Sequence, residues 1–224
     1  MDTTLSKFEK LKIAARYWLL GMAETNPEYF KVLEAMEYGC EHHNGERNGG
    51  EPEYIHQLSI FMRLRTMHRH LRNPVIVYIL AFLHDAVEDP NKKTGKMVSL
   101  EEVEQIWGTV IATKLRKLSK EILGQKNPDY SLDAIFDDED CAAVKSDDRC
   151  DNVSTMFGVF KLARLQRYVK ETEEEFLPRI KAARRRFPHQ EPVFEAAKLE
   201  IVNQLTLISQ LIAMNAEDCE EAKS

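Results

Sequence analysis

Apolar residues recur at three- and four-residue spacings along most of the chain and strand-like alternation is scarce, a pattern that predicts an all-α protein. Leu5, Phe8, Leu11, Ala15, Trp18 and Leu19 mark a first helix. Asn26-Pro27 reads as an N-cap followed by proline at the first helical position, with Phe30, Leu33 and Tyr38 on the buried stripe. That helix should end in the polar, glycine-containing stretch Asn44 to Gly50, and Ile55, Leu58, Met62 and Arg65 define the next stripe. Asn73-Pro74 repeats the cap-and-proline start for a segment, Val75 to Ala86, that is apolar on nearly all sides and so belongs at the centre of a bundle. Ser99 and Glu102 form a capping box ahead of Val103, Ile106 and Trp107. Gly124 to Asp138 reads as a loop. A long helix then runs through Cys141, Val144, Asp148, Asn152, Thr155 and Val159, and two more lie near Leu165 to Phe187 and Pro192 to Met214. No heptad pattern persists, so the expectation is an irregular or orthogonal bundle of about eight or more helices, not a coiled coil.

Composition narrows this little. With 224 residues and 43% hydrophobic content, the chain suits one domain, residues 1–224, with a substantial core and no low-complexity linker. A net charge of -6 and a pI near 5.7 argue against a general nucleic-acid binder but leave room for a local cationic site. Arg184-Arg185-Arg186 offers such a patch or, more simply, a solvated helix face. Cys40, Cys141, Cys150 and Cys219 show no metal-site or disulfide spacing and read as reduced thiols. The start, Met1 to Lys12, lacks a signal-peptide core, and the longest apolar run, Val75 to Leu83, is too short for a bilayer. The expected location is therefore cytoplasmic, with no membrane partner.

The chemistry concentrates at the end of the apolar segment, in His84-Asp85-Ala86-Val87-Glu88-Asp89. Glu88 and Asp89 follow Asp85 by three and four residues and can return to its side of a turn. So many ionisable groups beside an apolar helix are costly to desolvate unless a cation compensates them. The competing reading is a solvated helix end. His56 begins an amphipathic segment, where a single histidine is more often core or surface than ligand. Asp148, Asn152 and Thr155 share one helix face, which alone would be ordinary polarity.

Taken in order, Arg47…Gly50-Glu51-Pro52-Glu53-Tyr54-Ile55-His56, then Leu83-His84-Asp85-Ala86-Val87-Glu88-Asp89, then Lys145-Ser146-Asp147-Asp148-Arg149…Asn152…Thr155-Met156 resemble the HD-type hydrolase domain of the RelA/SpoT family over residues 35 to 156. That family removes pyrophosphate from guanosine tetra- and pentaphosphate alarmones. The resemblance implies metal ligands at His56, His84, Asp85 and Asp148, a catalytic acidic pair at Glu88 and Asp89, a substrate-contacting Arg47, and the family's asparagine at Asn152. The sequence departs from the family pattern at Gln57, where proline is usual, at Ser146-Asp147, and at Cys150-Asp151. Two imidazoles and two carboxylates suit one divalent ion, with Mn²⁺ expected and Fe²⁺ or Zn²⁺ compatible. Such an ion lowers the pKa of bound water and holds a phosphoryl oxygen, while Glu88 or Asp89 handles the proton. Arg47 and Lys145 would balance phosphate charge, with Asn152, Thr155 and Tyr168 as further contacts to a guanine nucleotide. No spacing argument selects among Tyr168, Lys170, Arg179, Lys181 and Arg184 to Arg186 in the helical C-terminal extension, residues 165–214.

The expected activity is thus 3′-pyrophosphate hydrolysis of the alarmone, giving GDP or GTP and pyrophosphate, by a stand-alone small hydrolase without a synthetase domain. Two alternatives stand: a phosphohydrolase of NADPH or a deoxynucleotide on the same scaffold, and a non-catalytic nucleotide sensor. The remaining histidines, His42, His43, His68, His70 and His189, lack a carboxylate partner in any of the three motifs and are expected to carry no chemistry, with His68 and His70 on a solvated face.

Overall fold

The computed structural model describes residues 5–47, 50–156 and 158–221, with side chains as far as residue 214. Met1 to Thr4, Gly49 and the side chain of Cys219 lie outside the described residues. The molecule is an all-α bundle. Its elements are α1 (Lys7–Ala23), α2 (Tyr29–His42), α3 (Ile55–Thr66), α4 (Pro74–Leu83), α5 (Leu100–Trp107) and α6 (Thr109–Leu118). A two-stranded hairpin, β1 (Glu121–Ile122) and β2 (Gln125–Lys126), precedes α7 (Leu132–Phe136), α8 (Glu139–Thr155), α9 (Leu162–Glu171), α10 (Leu177–Arg186) and α11 (Glu191–Glu221). No described helix is long and apolar enough to cross a membrane.

Local chemistry explains most boundaries. Ser6 and Glu9 close a reciprocal capping box on α1. Pro74 opens α4 at a position where its missing N–H costs nothing. Gly108, at φ 90°, ends α5 and starts α6 with a backbone that a residue with a Cβ resists. Asp138 caps α8, accepting from the N–H groups of Asp140 and Cys141.

Several expectations need correction. Helix α2 begins at Tyr29, not beside Asn26; the Asn26 side chain accepts from Glu28 N (3.1 Å) in the preceding turn. The fully buried face is Tyr29, Val32, Ala35, Met36 and Gly39; Leu33 and Tyr38 pack against the core at its margin as expected, and of that stripe only Phe30 points outward. Ile106 is likewise exposed. The Ser99 cap forms, but Glu102 does not close the box; its carboxylate accepts from Tyr38 Oη (2.7 Å) and Lys96 Nζ (2.9 Å). The stretch read as a loop holds part of the hairpin and α7. Helix α8 stops at Thr155, short of Val159.

Helix α4 is the axis of the bundle: every side chain from Val77 to Leu83 is buried. Phe82 stacks on Phe61 with centroids 4.7 Å apart. Helix α2 approaches α4 closely because Gly39 has no side chain; a Cβ there would lie 2.7 Å from the Phe82 carbonyl oxygen and 2.8 Å from Tyr54 Oη. Helices α3, α4 and α8 pack on one another, and α11 covers α8. One π-helical turn, Thr172 to Phe176, joins α9 to α10, so these two run on as an almost unbroken rod.

Candidate metal centre

Where α3, α4 and α8 meet, their polar ends converge. His56 sits in the first turn of α3, His84 and Asp85 follow the last residue of α4, and Asp148 lies midway along α8. The α-helical ladder stops at Leu83, and the backbone continues as a turn in which the N–H groups of Glu88 and Asp89 both bond the Asp85 carbonyl (3.0 Å). This turn lets adjacent His84 and Asp85 face the same point. Donor atoms of His56, His84 and Asp85 all lie within 4.8 Å of one another. Asp148 Oδ1 joins them, 3.2 Å from His56 Nε2 and 3.9 Å from His84 Nε2.

The tautomers of both imidazoles follow from their outer contacts. His56 Nδ1–H donates to Asp151 Oδ2 (2.6 Å), and His84 Nδ1–H donates to the Ala81 carbonyl (3.1 Å). Each ring therefore turns Nε2, its lone-pair nitrogen in the neutral form, toward the carboxylates, the arrangement found around metal-bound histidines. His84 Nε2 is buried without a hydrogen bond, although Asp85 Oδ2 is 2.9 Å away, because that approach lacks hydrogen-bond alignment. Buried His and Asp groups here could hold a metal ion. Without one, protons take that role: burial disfavours an imidazolium at His56, but Asp148 and Asp151 outweigh it and raise His56 to about 9. Burial likewise opposes the charged form of His84, and Asp85 overcomes it. Asp85 and Asp148 resist burial and stay well below the usual carboxylate range, through His84 for Asp85 and chiefly through Lys145 for Asp148.

The cluster floors a cavity of about 350 Å³ whose rim mixes carboxylates (Glu53, Glu88, Asp89, Glu171) with cations (Arg47, Lys120, Lys145, Arg149). Compared with protein-family models and with curated proteins, the sequence matches none. The site thus stands on its own geometry.

Of the residues anticipated from sequence, Arg47, His56, Asp85, Glu88, Asp89, Lys145, Asp148, Asn152 and Tyr168 line this cavity. Thr155 does not; it lines a smaller neighbouring cavity and accepts from Arg47 Nη2 (3.3 Å). Lys145 Nζ is 2.8 Å from Asp148 Oδ2, and Asn152 Nδ2 donates to Asp148 Oδ1 (2.6 Å), so both steady that carboxylate. Burial, then Asp85, raises Glu88 to about 7, and its Oε1 accepts from Lys120 N–H. Tyr168 lies 4.3 Å from the Arg149 guanidinium, which also covers the Phe176 ring at 3.5 Å and donates to Thr172 Oγ1 (3.2 Å).

The C-terminal basic residues stay outside the cavity. Arg179 pairs with Asp133 and Glu175, Arg184 with Glu195, and Arg186 with Asp137. Asp147 does not line the cavity; Arg63 Nε donates to it (3.1 Å), and Nη2 of the same guanidinium lies 3.5 Å from Asp151 Oδ1. Sequence reasoning missed Asp151, the acceptor for both His56 and Arg47; its position three residues after Asp148 on one helix was the available signal. It also set aside His43, which is buried and gathers with Glu53 and Asp89, and His68, which is half-buried against Trp18 and bonds Tyr78 Oη (3.0 Å).

Proposed function

We propose that the protein is a metal-dependent phosphohydrolase that removes the 3′-pyrophosphate of guanosine tetra- or pentaphosphate, releasing GDP or GTP and pyrophosphate. The observation that carries the hydrolase reading is the pair of imidazoles whose Nδ1–H groups are both committed, leaving two Nε2 atoms against Asp85 and Asp148. The choice of alarmone rests on the three coupled motifs that resemble the RelA/SpoT hydrolase domain.

His56, His84, Asp85 and Asp148 would hold the ion, proposed as Mn²⁺. A divalent ion there supplies an acidified water near neutral pH and an anchor for a phosphoryl oxygen. Glu88, about half ionised near pH 7, accepts the proton of the attacking water. Arg47, Lys120 and Lys145 offset the charge of the pyrophosphate group, and Tyr168 offers an aromatic edge of the cavity to the base. The remaining carboxylates exclude a highly anionic ligand unless cations neutralise them, which ties substrate binding to the metal. The test is a Mn²⁺-supplemented panel of ppGpp, pppGpp, NADPH and deoxynucleoside monophosphates with products identified. Pyrophosphate and GDP from ppGpp are expected; inert ppGpp beside hydrolysed NADPH or deoxynucleotide refutes the substrate, and turnover of none refutes the enzyme.

A further inference from the structure

Across the same cavity Asp89 gathers with two donors, His43 and Glu53, that have no role in the site just described. One nitrogen of His43 and carboxylate oxygens of Glu53 and Asp89 all lie within 4.8 Å of one another. His43, at the end of α2, is only 3% exposed, and its Nε2 is buried with no hydrogen-bond partner. A buried, unsatisfied ring nitrogen costs free energy that a ligand can recover. Glu53 and Asp89 are half-buried beside it, and burial, then the charges of Asp85 and Glu53, disfavour ionised Asp89. The backbone is shaped around them. Glu53 N–H donates to the Gly45 carbonyl (2.9 Å), and a Cβ on Gly45 would strike Glu53 Oε2 at 2.7 Å. Asp89 is fixed from behind, since His42 Nε2–H donates to its carbonyl (2.8 Å). Lys92 passes beside this group: its Cγ would lie 2.8 Å from a Cβ at Gly45, and its charge favours ionised Asp89.

We infer that His43, Glu53 and Asp89 form a second divalent-cation site, separate in its ligands from the His56, His84, Asp85 and Asp148 centre. One imidazole and two carboxylates suit Mn²⁺ or Zn²⁺ better than Ca²⁺, and leave positions open for water or a ligand oxygen. The two sites share their supporting chain: Glu53 and His56 flank the start of α3, and His84, Asp85 and Asp89 all belong to the turn after α4. Glu53, His56, Asp85 and Asp89 line one cavity, so a phosphate-bearing molecule bound there could touch an ion at either place. That use of the second ion rests on the phosphohydrolase reading; the site itself does not. It also makes Asp89 a ligand and leaves proton handling to Glu88.

The experiment counts metal directly. Chelator-stripped full-length protein is saturated with Mn²⁺, desalted and assayed for bound metal, with calorimetric titration alongside and circular dichroism to confirm folding of each variant. Wild type should bind two Mn²⁺ per chain, His43→Gln and Glu53→Gln one each, and His56→Gln one. The His43→Gln/His56→Gln double variant should bind none. Glu53→Gln, a half-buried isosteric change, keeps the test informative if His43→Gln misfolds. One Mn²⁺ per wild-type chain that survives both His43→Gln and Glu53→Gln overturns the second site. One Mn²⁺ that is lost in His43→Gln and kept in His56→Gln upholds this site and overturns the first instead.

Discussion

Asp151 offers the sharpest test of the metal centre, because it touches no ion in the proposed arrangement and acts only through His56. Its Oδ2 accepts from His56 Nδ1 (2.6 Å) and from Arg47 Nη1 (3.1 Å), while Oδ1 lies 3.5 Å from Arg63 Nη2. In Asp151→Asn the amide oxygen can still accept from His56, but the negative charge that orients the ring and strengthens its Nε2 as a donor is lost. The NH₂ group must then face Arg63. Outer-sphere partners of this kind typically account for about ten- to hundredfold in metal affinity, or about 1.4 to 2.8 kcal/mol. Mn²⁺ affinity in Asp151→Asn, measured by calorimetry with a competing chelator, should fall by that factor. Alanine should fall further because His56 Nδ1 then has no acceptor at all. Asp137→Asn is the control, since Asp137 pairs with Arg186 away from the cavity and should leave Mn²⁺ affinity unchanged. Thermal melts of the metal-free forms separate lost affinity from lost fold. Unchanged Mn²⁺ affinity in a folded Asp151→Asn protein would refute the assignment of His56 as a ligand oriented through Nδ1.

Glu88→Gln should keep bound metal and lose about 10² to 10⁴ in turnover. In wild type the rate should climb as pH rises through about 7, where Glu88 ionises, and that limb should vanish in the variant; a persisting limb assigns the base elsewhere. Asp138→Ala should destabilise the protein by about 1 kcal/mol from the lost cap of α8 alone, with Lys114 and Lys117 adding to it, as read by denaturant unfolding. Burial opposes ionised Asp138, but Lys114 outweighs it and holds the carboxyl at about 2, so this stabilisation is complete above the ordinary value of 3.8 and disappears as pH falls toward 2; a variant difference that persists at the acid end contradicts it. Gly39→Ala should cost about 1 to 3 kcal/mol despite alanine's better helix propensity, because the added methyl meets the Phe82 carbonyl and the Tyr54 ring; a stabilised variant in a thermal melt overturns that packing argument.

What could be read from sequence depended on whether the signal was local. Asn73-Pro74 and the apolar run after it located α4, and its abrupt polar end located His84 and Asp85, because capping, proline and hydrophobicity act over a few residues. The hairpin escaped because its two-residue turn uses Leu123 at φ 52° before Gly124, and leucine is not a turn signature. Phe30, expected inward, faces outward, and apolar character alone does not say which of the adjacent aromatics Tyr29 and Phe30 meets the core. Glu88, Asp89 and Asp148 stand out through motif order, whereas Asp151 sits where that order is broken and His43 precedes it, and only the folded arrangement joins these two to partners in distant segments.

The π-helical turn between α9 and α10 carries a consequence for how this chain can change over evolutionary time. Such a turn holds one residue more than the α-helix it interrupts, and each residue turns a helix by about 100°. Deleting one residue among Glu173, Glu174 and Glu175 would let the rod close as plain α-helix with α9 and α10 in nearly the same phase, because the π turn absorbs its extra residue locally. Tyr168 and Glu171 would keep their places on the cavity wall, Arg149 the rings it covers, and Ile180 and Ala183 of α10 their places in the core. The turn thus marks a place where one codon can be gained or lost while the lining of the pocket stays where it is.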